Sequence, residues 1–142
     1  MATDTAPVSP PVRQDPRQVS NTLVKRFQFN TPGIADGVAF DNSLPVGARI
    51  LSVLVEIITA FNAGTTNVLT VGTNGPSTYN NLVAAGDIDE AVVQTTQVLR
   101  GIGGSIMRAA ELVPKVKYTQ TGTAATTGDA EVTITYEGGH AS

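Results

Sequence analysis

The strongest periodicity in the chain is ARILSVLVEIITAF, residues 48–61. Odd positions carry Leu51, Val53, Val55, Ile57, Thr59 and Phe61, and even positions carry Ile50, Ser52, Leu54, Glu56, Ile58 and Ala60. Apolar side chains on both parities, rich in Val and Ile, predict a strand central to its sheet and covered on both faces for much of its length. A helix is the competing reading. The β-branched content and the NAGTTN turn behind it decide for a strand, and NVLTVG (67–72) then reads as its returning hairpin partner. Upstream, TLVKRFQF (22–29) alternates, with Leu23, Lys25, Phe27 and Phe29 on one face and Val24, Arg26 and Gln28 on the other. This predicts Phe27 and Phe29 in the core and Lys25 near a strand edge. Turn signals at Pro32-Gly33, Asp36-Gly37 and Pro45-Val46-Gly47 bracket GVAF, a short strand.

The middle of the chain is less regular. Leu82 to Ala85 reads as a short helical turn, AVVQTTQVL (91–99) as a strand, and SIMRAAELV (105–113) as either one helical turn or a strand. KVKYTQT (115–121) and EVTITYE (131–137) are alternating strands joined by the polar loop GTAATTGD. In the second, Val132, Ile134 and Tyr136 lie on one side and Thr133 and Thr135 on the other. Seven or eight short strands with Gly/Asn/Asp/Pro turns predict an all-β chain, a single jelly-roll-like β-sandwich over residues 23–142.

Residues 1–22 differ in kind. They hold Pro7, Pro10, Pro11 and Pro16, half of the eight prolines, and Asp4 and Asp15 balance Arg13 and Arg17. Such a segment favours extended polyproline II and, at ~3.1 Å per residue, reaches on the order of 65 Å. It is either a frayed terminus or an arm that lies along a partner.

Composition narrows the chemistry. The 142 residues contain no cysteine and no tryptophan, with 15% charged and 5% aromatic residues. Without cysteine there is no disulfide framework, thiolate metal site or cysteine nucleophile. The net charge of −3 argues against a nucleic-acid binder, and the longest apolar run, Ile50 to Phe61, is interrupted and too short for the ~20 residues of a membrane span. The N-terminus has no basic segment leading into an apolar one, so synthesis in a cytoplasm is expected. So low a charge content leaves little repulsion between copies and favours self-association.

Catalytic groups are scarce. His140, the single histidine, sits in the tail GGHAS, where two glycines work against the rigid placement a triad needs. Asp87, Asp89 and Glu90 form the densest acidic group, but AVVQTTQVL behind them supplies no distal carboxylate for a calcium loop, so they read as a solvated turn. GIGGS (101–105) has Ile106 where a dinucleotide fingerprint needs glycine, and reads as a loop. Glu56 requires an open face, a buried pairing with Arg49 or Arg26, or a contact across a subunit interface, and partial exposure is the reading preferred. Lys25, Arg26, Arg49, Arg100, Arg108, Lys115 and Lys117 form no stripe. Lys115 and Lys117 share a face opposite Tyr118 and read as a solvated strand edge. No catalytic, cofactor-binding or metal-binding residue is assigned.

With its extended N-terminus, the stretch FQFNTPGIADGVAFDNSLPVGARILSVLVEIITAFNAGTTNVLTVGT and the close KVKYTQTGTAATTGDAEVTITYE, the chain resembles small accessory structural proteins of tailed bacteriophages over residues 22–138. The shared features are the P-x-G entry to a long strand, the N-x-G hairpin, the L-x-V-G return and the Thr-rich final hairpin ending V-x-I-x-Y. The resemblance implies a non-enzymatic virion protein. In such a head decoration (cement) protein, the arm laces onto the major capsid protein and the sandwich forms homo-oligomers, commonly trimers. A tail or fibre-attachment component shares the fold and is the alternative. A carbohydrate-binding module is a weaker one, since sugar platforms use exposed Trp or Tyr and only Tyr79 falls in an expected loop.

Overall fold

A computed structural model describes residues 20–75, 77–98 and 111–138. The strands are β1 (Ser20–Gln28), β2 (Val38–Ala39), β3 (Ala48–Thr59), β4 (Thr66–Gly72), β5 (Thr95–Val98), β6 (Lys115–Thr121) and β7 (Asp129–Gly138). They form two antiparallel sheets, β1-β7-β3-β5 and β2-β6-β4. There is no helix among the described residues. The fold is an all-β, jelly-roll-like sandwich, as the strand pattern predicted.

Odd-numbered strands build one sheet and even-numbered strands the other, so every connection crosses the sandwich. This overturns both predicted hairpins. β4 is not the partner of β3, and β6 and β7 belong to different sheets. NAGTTN and GTAATTGD are crossings, held together at one end of the sandwich. The Asn62 Oδ1 accepts from the Thr126 and Thr127 amides (2.8 and 3.0 Å), and its Nδ2 donates to Thr126 Oγ1. The Gly64 amide donates to the Thr123 carbonyl, and the Thr127 hydroxyl to the Ala60 carbonyl. Replacing Asn62 with Ala removes the three bonds of its side chain from an exposed site. The expected cost is about 1 kcal/mol, with faster amide exchange confined to residues 122–128 and measurable by hydrogen-exchange mass spectrometry.

The core lies between the sheets. Cross-strand register stacks Leu23, Ile134, Val53 and Val98 in one row and Phe27, Ala130 and Ile57 in another. Val38, Val116 and Val71, then Tyr118 and Leu69, face them from the second sheet. Phe61 joins the two layers, its ring 6.2 Å from Phe27 and 4.6 Å from Tyr118. Phe27 is buried as predicted. Phe29, just past the end of β1, is half-buried against the same core.

Three further expectations are corrected. β3 is central, flanked by β7 and β5, but its second face is not covered: Leu54 is 37% exposed and Glu56 is exposed. Leu82 to Ala85 makes no helical turn; Val83 instead pairs with Val71 as an isolated antiparallel bridge. Among the described residues of AVVQTTQVL, only Thr95–Val98 is strand, with Val92 and Val93 exposed. In SIMRAAELV, Leu112 bridges Leu44, and residues 105–110 lie outside the described residues. So do residues 1–19 of the proposed arm, the GIGGS loop, Arg100, Arg108 and His140.

Candidate interface

The surface that can meet a partner is set by how each sheet ends and what its outer face carries. On the three-stranded sheet, the free side of β4 is closed residue by residue. The Leu69 amide donates to Glu90 Oε2 (2.8 Å), Val71 exchanges two backbone bonds with Val83, and the Thr73 amide donates to Asn81 Oδ1. The carbonyl of Glu90 also accepts from the Phe61 amide (2.9 Å).

Glu90 is therefore not part of a solvated turn. It is 7% exposed, and burial raises its pKa, partly offset by the hydrogen bonds from Leu69 and from its own backbone. Its neighbours behave differently: Asp89 is exposed and caps the Ala91 amide, and Asp87 accepts from the Ala84 amide. A Gly-Asp-Ile-Asp-Glu string looks solvated in sequence because nothing local shows that β4 needs an acceptor there. Burial, with a smaller contribution from the charge of Glu90, also raises the pKa of Tyr118, whose hydroxyl donates to Asn67 Oδ1 (2.6 Å).

The outer face of this sheet is covered too. Lys115 and Lys117 do share a face opposite Tyr118, but β6 lies between β2 and β4, so they do not form a solvated edge. The loop after β4 folds over them. Lys115 Nζ sits 5.2 Å from the centroid of the Tyr79 ring, and Lys117 Nζ donates to the Ser77 carbonyl. Tyr79, 7% exposed at φ +42°, is packed between Gly37 and Gly75 rather than displayed. Tyr118 is buried and Tyr136 half-buried, so none of the tyrosines forms the exposed platform a sugar-binding module uses.

The four-stranded sheet presents its outer face to solvent. Its middle rows, Thr22-Thr135-Ser52 and Val24-Thr133-Leu54-Gln97, carry no charge, and Val24 is 47% exposed. At one end Arg49 pairs with Glu137 at 2.6 Å. At the other, Arg26 bonds both oxygens of Asp129 (3.1 and 2.7 Å), with Glu131 and Glu56 opposite each other beside it. The hydrogen bond and charge of Asp129, with smaller contributions from Glu131 and Glu56, raise the Arg26 pKa. Thus the two arginines considered as partners for Glu56 are engaged with Asp129 and Glu137, and Glu56 is solvent-exposed. Among the described residues, no group of three His, Cys, Asp or Glu side chains is placed to hold a metal ion. No helix there is long and apolar enough to cross a membrane.

This architecture, a small two-sheet sandwich with one sheet face covered by a loop and the other bare, defines the fold class. The same fold occurs in solved structures of phage capsids. The chain is similar to a chain of the capsid asymmetric unit of cyanophage Pam1, with a TM-score of 0.65 and 20% identity over 96% of this chain and 97% of that one. It is also similar to chains in the acid-stable capsid of Helicobacter pylori bacteriophage KHP30 (TM-score 0.61, 20% identity, 85% and 89% covered) and in the capsid of Ralstonia phage GP4 (0.61, 19%, 92% and 91%). No protein-family model and no curated protein sequence matches the chain.

Proposed function

We propose that this chain is a non-enzymatic structural protein of a tailed-phage virion, a decoration (cement) protein that binds the outside of the capsid and reinforces contacts of the major capsid protein. The observation that carries this reading is the agreement in fold, over 85–96% of this chain, with chains from three phage capsids. Each is matched along about nine-tenths or more of its own length, so each is a small sandwich of the same kind within a capsid. Low charge content, an outer sheet face whose middle rows carry no charge and a Pro-rich N-terminal segment support the reading, because permanent interfaces are depleted in charge and proline lowers the entropy lost when an arm is ordered. In this reading residues 1–19 form the arm on the capsid, the sandwich begins with β1 at Ser20 rather than at residue 23, and the sandwiches associate as homotrimers. No cofactor, nucleic acid or membrane takes part.

The test is cosedimentation of the purified protein with empty shells of its phage. Wild-type protein is expected to sediment with the shells in many copies spread over the surface, and deletion of residues 2–20 to abolish most of that binding. A few copies at a single vertex would instead identify a tail or fibre-attachment component. Undiminished binding after the deletion would remove the arm from the account.

A further inference from the structure

Among the described residues, the fold closes one long sheet edge and leaves another without a partner strand. β4 has its outward amides at 69, 71 and 73 taken by Glu90, Val83 and Asn81. Within the described residues the edge strands β5 and β2 are four and two residues long. β1, by contrast, borders the four-stranded sheet with nine residues in unbroken register on β7. The Phe29 amide bonds the Gly128 carbonyl, so in this register the odd residues of β1 bond to β7 and the even residues direct their backbone groups away from it. At Gln28 those groups are taken by the Thr31 hydroxyl and amide. The amides and carbonyls of Thr22, Val24 and Arg26 meet no backbone partner among the described residues, over a span of about 14 Å.

Natural sheets guard such an edge with proline, a bulge or an inward charge. β1 has neither proline nor bulge. Its inward charge, Lys25, is neutralised by Asp41 at 3.6 Å. Beside the edge lies a groove of about 630 Å³ lined by Thr22, Leu23, Ser43, Pro45, Glu111 and Tyr136, among others. The open edge therefore offers alternating backbone donors and acceptors at strand spacing, next to space for the side chains of a further strand.

We propose that the β1 edge binds an extended, proline-free segment of the shell protein, which adds to the four-stranded sheet as a fifth strand. This rests on the capsid-binding reading and names the contact through which it acts. The occupant follows from chain geometry. Residues 1–19 join the domain at Ser20, the first residue of the open edge, so a surface followed by that segment reaches β1 next. The segment itself is a poor added strand, since its four prolines lack amide donors.

The experiment is hydrogen exchange of the full-length protein, free and bound to empty shells, followed by mass spectrometry on peptides covering residues 20–28. In the free protein the outward amides of Thr22, Val24 and Arg26 exchange fast and the odd-numbered ones slowly. On shells the fast set is expected to slow by about tenfold or more. Val24→Pro removes the central outward donor while leaving the ladder to β7 intact, and is expected to weaken shell binding about tenfold or more. Val24→Ala should bind like wild type. If the outward amides stay fast on protein that is demonstrably shell-bound, the inference fails and the capsid reading stands. If wild-type protein does not bind shells, the capsid reading itself fails. A free protein that sediments as a dimer, and that Val24→Pro converts to monomer, would give the edge to a second copy and overturn the assignment.

Discussion

Gly128→Ala is expected to lower the melting temperature by about 10 °C or more. Gly128 ends the GTAATTGD crossing at φ +151°, directly over the ring of Phe61. A Cβ there would lie 2.6 Å from Phe61 Cε2 and closer still to Cδ2. The ring cannot retreat, because it is fully buried against Phe27 and Tyr118. Overpacking of this kind costs about 1–3 kcal/mol, and the unfavourable backbone adds about 1–2 kcal/mol. For a domain of this size each kcal/mol is worth roughly 3–5 °C. Differential scanning calorimetry gives the shift. The steric cause is isolated by the pair: Phe61→Ala alone costs about 3–5 kcal/mol, but adding Gly128→Ala to it should cost much less than in wild type. A single Gly128→Ala protein with unchanged melting temperature would show that the crossing yields freely.

Glu90 should give the second large effect, with a distinctive pH dependence. Its folded-state pKa is raised above the ordinary 4.5, chiefly by burial, so the native state holds the proton more tightly than the unfolded chain. Stability from this group is therefore greatest below the unfolded value and declines as pH rises towards and through the folded one. Above that, the cost of a buried carboxylate is fully present. Glu90→Gln keeps an acceptor for the Leu69 amide and has no charge to desolvate. It should equal or exceed wild type at pH 7.5 and lose the slope just above pH 4.5. Glu90→Ala leaves the Leu69 amide buried without an acceptor and should cost about 1–3 kcal/mol near pH 4.5, a deficit that shrinks as pH rises and the wild type bears the cost of its buried carboxylate. Urea unfolding of the three proteins between pH 4.5 and 8 measures this. Equal stability of Glu90→Ala and wild type at every pH would show that the Leu69 contact contributes nothing.

These sites differ in how visible they were beforehand. The Gly128 conformation is hinted at by Thr-Gly-Asp at the end of a polar loop, but not the aromatic ring beneath it, which comes from Phe61 far away in sequence. Glu90 gave no signal, because its partner is an amide 21 residues upstream. The lysines of β6 looked like edge residues because alternation records which face a side chain takes and nothing about what lies over that face. Here it is the loop carrying Ser77 and Tyr79.

Periodicity alone determined the class of fold and most of its strands: β1 with Phe27 turned inward, the short β2, the long central β3, then β4, β6 and β7. That information is local, since alternation and β-branching act on each segment separately. Which strands pair was decided only in three dimensions. Two consecutive segments with a turn between them look like a hairpin whether they stay in one sheet or cross to the other. Here all of them cross, because each strand buries one apolar face and the sandwich places those faces on opposite sides of a shared core. Among the described residues, the same assembly left the outer face of β3 and the edge of β1 bare, although the sequence of β3 had suggested cover on both sides. Strand composition measures how much apolar surface must be buried, and the chain's own tertiary structure buries only part of it.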